Sequence, residues 1–177
     1  MIRTFIIVCA LLFSSATQAA EHADSLQLSD TIGMGQVALK ALPDAIQNLL
    51  QYAINQDGAS YHWGGSSPES GFDCSGFVRN VFDHVEGVLL PHSARAISLI
   101  GSRIRMTELQ PGDLVFFRLM RHTVSHVGIY LGNNQFIHAS SIRTGVEISN
   151  LTGYWGKHFT LARRLDVPEE QTPSVSE

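Results

Sequence analysis

Residues 125–139 read Ser-His-Val-Gly-Ile-Tyr-Leu-Gly-Asn-Asn-Gln-Phe-Ile-His-Ala, two strand-like runs either side of Gly132-Asn133-Asn134. This segment constrains the fold more than any other, because side chains on a strand alternate between faces and a slip of one residue exchanges them. A three-residue loop at 132–134 pairs Tyr130 with Phe136 and Gly128 with His138. Val127, Ile129, Ile137 and Ala139 then share one apolar face, and His126 lies diagonal to His138 on the other. Diagonal neighbours have Cβ atoms about 7–8 Å apart, within reach of two imidazole rings. Gly128 opposite His138 leaves room for the ring. Two readings stay open at this point: a working pair of histidines, or two polar residues on the wet face of a hairpin.

Other segments place this hairpin late in an α+β chain. After Pro43, Ile46, Leu49, Leu50, Ala53 and Ile54 form one helical stripe that ends at Asp57-Gly58. Residues 60–71 are loop-like, with Gly64-Gly65 and Pro68. Phe77, Val78, Val81, Phe82 and Val85 then fit a 3.6-residue period, with Asp73 suited to cap the helix and Cys74 in its first turn. A short helix over 93–100 and a buried strand over Leu114–Phe117 are also expected. Val146–Ile148 and Thr160–Arg164 read as edge strands, with Tyr154–His158 interrupting the pattern. Helices first and strands later predict α+β with N-terminal helices packed on an antiparallel sheet.

The N-terminus bears on the cysteines. Arg3, the apolar run Phe5–Phe13 and the small residues up to Ala20 match a signal peptide, with cleavage expected after Ala19 or Ala20. A membrane-spanning helix needs about 20 apolar residues, so no stable membrane anchor is expected after cleavage. Cys9 follows Val8 in the middle of the run, which argues against lipidation. The chain is expected to divide into a signal peptide (1–20), an extension (21–42), a main domain (43–165) and a disordered acidic tail (166–177). The expected location is periplasmic or secreted. Losing Arg3 with the leader takes the formal charge from −4 to −5, and neither a Lys/Arg cluster nor a basic helix is present, which argues against nucleic acid or an anionic membrane surface as the main partner.

Cys74 is then the single thiol of the mature chain. An unpaired thiol in an oxidising compartment is an inert buried residue, a partner for another chain, or a nucleophile. A helix N-terminus and a nearby imidazole lower a thiol pKa, so the setting Asp73-Cys74-Ser75-Gly76 favours a nucleophile with a lowered pKa. Of the eight histidines, His22, His84 and His158 read as surface residues and His62 and His92 as loop residues. Cys74, His126 and His138 suggest a nucleophile, a base and an orienting residue. They are also conceivable zinc ligands, with His122 four residues before His126. With one cysteine, and with His122 two pleats away along a strand, no metal or cofactor is expected.

Tyr61-His62-Trp63-Gly64-Gly65, Phe72-Asp73-Cys74-Ser75-Gly76-Phe77, Leu90-Pro91-His92-Ser93, Pro111-Gly112-Asp113-Leu114-Val115-Phe116-Phe117, Ser125–Gly132 and Phe136-Ile137-His138-Ala139 follow one another in order. Together they resemble the successive motifs of NlpC-type cell-wall cysteine endopeptidases, over about Ala45–Arg164. The resemblance implies a papain-like α+β fold with Cys74 as nucleophile at a helix N-terminus, His126 as general base and His138 as orienting residue. It also implies that the Tyr61 hydroxyl and the Cys74 N–H support the oxyanion, and that Asp73 and Ser75 contact the stem peptide. The implied partner is peptidoglycan, cleaved at the bond between D-γ-glutamate and diaminopimelate through a thioester acyl-enzyme, by a chain expected to be a monomer. His92 stands where the family commonly has a basic residue, often Arg, and residues 21–42 are too short for a separate wall-binding domain. An amidase or acyltransferase of the same fold, a non-enzymatic wall-binding protein and a zinc enzyme are the rival readings.

Overall fold

The computed structural model describes residues 40–119, 123–142 and 145–165. The signal peptide, most of the extension, the acidic tail, His22 and His122 lie outside the described residues.

Helix α1 (Asp44–Ile54) opens after Pro43 and buries Leu49, Leu50 and Ala53. Two short strands, β1 (Ser66–Ser67) and β2 (Gly71–Phe72), pair within the loop that follows. Helix α2 (Cys74–Glu86) is capped by Asp73 and buries Phe77, Val78, Val81 and Phe82. It stops at Gly87, whose φ of 64° allows its N–H to reach Asp83 O while Val88 N–H reaches Phe82 O. Helix α3 (Ala94–Ile97) is shorter than its sequence pattern predicts, and Ser93 caps it.

Six strands form the main sheet: β3 (Ser102–Ile104), β4 (Leu114–Phe117), β5 (His126–Gly132), β6 (Gln135–Ser140), β7 (Gly145–Asn150) and β8 (Phe159–Arg164). Their order is β3-β8-β4-β5-β6-β7, with every neighbour antiparallel. The α+β architecture is as expected. Thr160–Arg164, however, is not an edge. β3, only three residues long and largely exposed, pairs outside it and takes the edge position. The break at Tyr154–His158 is helix α4 (Gly153–His158), which leads directly into β8.

The hairpin differs from the predicted one in an instructive way. Its loop has two residues, Asn133 and Asn134, at φ 48° and 58°, the left-handed pair that a type I′ turn requires. Gly132 pairs with Gln135, and alone this would swap the two faces. A bulge at Leu131-Gly132 restores the register, so that Tyr130 pairs with Phe136 and Ile129 with Ile137. The predicted faces therefore stand although the predicted loop length does not. Val127, Ile129, Ile137 and Ala139 are fully buried on one face, and α2 packs against β5 and β6. Val115, Phe117, Tyr130, Phe136, Leu151 and Ala162 form a core on the other face, joined by Trp155 and Phe159.

Pro111-Gly112-Asp113 ties the sheet at its far end. Asp113 is 1% exposed and receives Arg164 Nε and Nη2 at 2.7 and 2.8 Å, together with the Gln110 N–H at 2.8 Å. The backbone of Asp113 also accepts the Tyr130 N–H at 2.8 Å, joining β4, β5 and β8 at one residue. Arg164 is 36% exposed, so losing Asp113 does not strand a buried charge, and the cost is that of charge-assisted hydrogen bonds, about 1.5–3 kcal/mol. Asp113→Ala should therefore lower stability by about that amount in a urea titration; a loss under about 1 kcal/mol would refute this bracing role.

Candidate active site

The start of α2 is knotted to two loops through one carboxylate. Asp73 Oδ1 accepts the Gly76 N–H at 2.7 Å and the Ser75 hydroxyl at 2.9 Å, and lies 3.2 Å from His92 Nε2. Its Oδ2 accepts the Gly64 N–H at 3.0 Å. A carboxylate offers about four acceptor positions, and four donors surround this one. The same loop returns through the Asp73 N–H, which donates to Gly65 O at 3.0 Å. A methyl group on Gly76 would collide with Gly65 O, so only glycine lets the loop lie against the first turn.

This knot fixes Cys74 as the first residue of α2, a free thiol at partial exposure. The backbone N–H groups of Val127, Ser75 and Cys74 itself favour the thiolate, yet burial and the adjacent Asp73 carboxylate outweigh them and push the thiol up to about 11. The expectation of a lowered thiol pKa is thus corrected: the helix terminus acts as predicted, and desolvation exceeds it. Contact with the Val127 N–H places the start of β5, and so His126, beside the sulfur. Tyr61 reaches the same point from the loop, where it bridges to Phe72, two residues before Cys74. Burial, Cys74 and Asp73 all raise the Tyr61 pKa, so its hydroxyl stays protonated as a donor.

His126 Nε2 and His138 Nδ1 are 2.9 Å apart. The wet-face alternative fails here, because His126 is 6% and His138 0% exposed. Trp155 of α4 stacks on His126 with centroids 5.2 Å apart at 25°, and meets the His138 ring on edge at 4.7 Å. Phe136 stacks on the other ring at 4.8 Å. Gly128 is required, since an added Cβ would lie 2.8 Å from Ile137 O and 3.1 Å from His138 Cβ. Burial lowers the His126 pKa to about 4, offset in part by Asp73. Burial, then the neighbouring His126, lowers that of His138 further. Both rings are neutral at physiological pH.

The structure thus brings Tyr61, Asp73, Cys74, Ser75, His126 and His138 together at one place. Ser75 is 5% exposed, with its hydroxyl engaged by Asp73. Sequence reasoning did not single out Trp155, the Gly64 N–H, or Glu147 and Ser149 beside His138. His92, read as a loop residue, proves to touch Asp73. Among the described residues, no group of three or more His, Cys, Asp or Glu could hold a metal ion. No described helix is long and apolar enough to cross a membrane.

Comparison with known proteins agrees with this geometry. Residues 58–164 match the model of the NlpC/P60 family. Murein DD-endopeptidase MepH of Escherichia coli is 39% identical over 134 residues, covering 73% of this chain and 48% of that protein. Gamma-DL-glutamyl hydrolase of Bacillus subtilis is 41% identical over 134 residues, covering 73% and 32%. The chain thus spans half or less of the length of these two curated relatives. The crystal structure of an NlpC/P60 family protein from Bacillus cereus superposes with a TM-score of 0.64 at 32% identity, covering 70% of this chain and 40% of that one. A helix start that presents a thiol, a strand pair that presents two histidines and a family model matched across both make this chain a member of the NlpC/P60 family.

Proposed function

We propose that this chain is an exported cysteine endopeptidase that hydrolyses peptidoglycan stem peptides. The supporting observation is the buried His126–His138 pair, 2.9 Å apart, with His126 next to Val127, whose N–H meets the Cys74 sulfur. Names of relatives that carry murein endopeptidase or glutamyl hydrolase activity support the substrate class.

In this reading the Cys74 thiol attacks the scissile carbonyl carbon while His126 Nδ1 takes its proton. The oxyanion forms at the helix N-terminus, stabilised by the Cys74 N–H and the Tyr61 hydroxyl. The C–N bond then breaks, and His126 passes the proton to the leaving amine, leaving a thioester. Water attacks the thioester as His126 accepts its proton, and the carboxylate product leaves with the thiol regenerated. His138 orients His126 throughout. Asp73 holds the nucleophile's helix and is the group through which a substrate polar atom would enter, in place of His92; Ser75 supports it.

The bond is the D-γ-glutamyl-diaminopimelate linkage. A DD bond is the second reading, favoured by the relative named as a DD-endopeptidase. Mass spectrometry of muropeptides digested by the purified protein separates the two, since each cut leaves a different stem fragment; unchanged muropeptides would refute both. Cys74→Ala should abolish cleavage, and His126→Ala should lose more activity than His138→Ala, because removing a base costs more than removing the group that orients it.

pH dependence follows from the buried pair. His126 becomes a free base once the pH exceeds about 4, and the thiol keeps its proton up to about 11. kcat/KM should therefore rise as pH climbs through about 4 and show no acid limb near the ordinary histidine value of 6.5. A limb centred near 6.5 would contradict a base held neutral by burial. Export predicts that the protein recovered outside the cytoplasm begins at Ala20 or Glu21 on N-terminal sequencing; an intact Met1 would contradict it.

A further inference from the structure

The hydrogen bond between His126 Nε2 and His138 Nδ1 has two polarities, and only one of them leaves a base at the thiol. A neutral imidazole carries one N–H and one bare nitrogen. When His126 donates from Nε2, its Nδ1 is bare and His138 must keep its own proton on Nε2. When His138 donates from Nδ1 instead, the His126 proton sits on Nδ1, the nitrogen that the base reading assigns to the thiol, and leaves no lone pair there. Whatever stands at His138 Nε2 therefore selects between a working site and an idle one.

Two side chains of β7 stand there. Ser149 Oγ is 3.1 Å from His138 Nε2, and Glu147 Oε1 is 3.7 Å from the same nitrogen. The strand register explains their presence: Glu147 pairs with His138 and Ser149 with Phe136, so the two share the face that carries the histidines. A carboxylate can only accept, whereas a hydroxyl both accepts and donates. The Glu147 carboxylate therefore favours a proton on His138 Nε2, and the Ser149 hydroxyl is placed to accept it. The other groups packed on His138 are His126 from β5, Trp155 from α4 and Phe136 from β6 itself. Phe136 stacks on His138 and Trp155 meets it in a T-shaped contact, and neither carries a charge. The Asp73 carboxylate acts on His126 and is not among the groups that shift His138.

We propose that Ser149 and Glu147 are positioning residues that hold the His138 proton on Nε2, and so keep His126 Nδ1 bare toward Cys74. This rests on the reading of His126 as the general base. The relay then runs from Cys74 through His126 and His138 to β7, with every donor matched to an acceptor in one direction. Ser149 makes the direct hydrogen bond, and Glu147 biases it with its charge.

The test uses 15N-labelled full chain and long-range 1H–15N correlation of the imidazole nitrogens. Both His126 and His138 should appear as Nε2–H tautomers, and a His138 Nδ1–H tautomer in the unsubstituted protein would overturn the proposal. In Glu147→Gln/Ser149→Ala, His138 should shift toward Nδ1–H and kcat should fall about 10–100-fold, as for other groups that orient a working histidine. Ser149→Thr, which keeps the hydroxyl, should retain the tautomer and most of kcat. Unchanged tautomers and a kcat within twofold of the parent in a folded double variant would overturn the proposal. Should the double variant fail to fold, the tautomers of the unsubstituted protein and of Glu147→Gln alone still decide it. Full activity in His126→Ala would instead refute the base reading, a failure distinct from that of the β7 residues.

Discussion

A polar ring buried on a sheet face must find its partners inside the protein, and the complete burial of His138 sets that constraint for everything around it. One nitrogen meets His126 and the other meets β7. Aromatic rings of Phe136 and Trp155 close the remaining sides. Gly128 gives up its side chain so that His138 fits across the strand pair. A single slip between β5 and β6 would expose these partners and bury polar rings among aliphatic side chains, which is why the bulge at Leu131-Gly132 matters beyond its own turn.

The second half of the site follows a different rule. Cys74 owes its place to Asp73, whose carboxylate gathers donors from the Gly64 loop, the first turn of α2 and His92. That carboxylate also places a negative charge beside the thiol, and it acts oppositely on its two neighbours: it raises the Cys74 pKa and partly restores that of His126. Burial shifts both groups toward their neutral forms. The resting site thus holds a protonated thiol and a neutral imidazole.

Much of this was legible in the sequence, because alternation in 125–139 and helical spacing in 73–85 are local patterns. Those patterns placed His126, His138 and Cys74 on their elements and gave the α+β class. What escaped was set by tertiary contacts. Ser149 and Glu147 become partners of His138 only through the β6–β7 register, and the sequence pattern of β7 gives no sign of that. Trp155 lies in a segment that breaks a strand pattern, and its role depends on where α4 turns back onto the sheet. The edge strand β3 has three residues, too few to alternate visibly. The direction of the thiol shift escapes a sequence reading for the same reason: a helix N-terminus can be read locally, whereas burial cannot.

Ionisation of Cys74, followed by thiolate absorbance near 240 nm with Cys74→Ala as the blank, tests a burial-governed site most directly. A neutral pair predicts no thiolate signal at pH 6–8, with absorbance appearing only as the pH approaches about 11. A constant thiolate signal from about pH 5 upward would reveal a thiolate–imidazolium pair and contradict the neutral resting state.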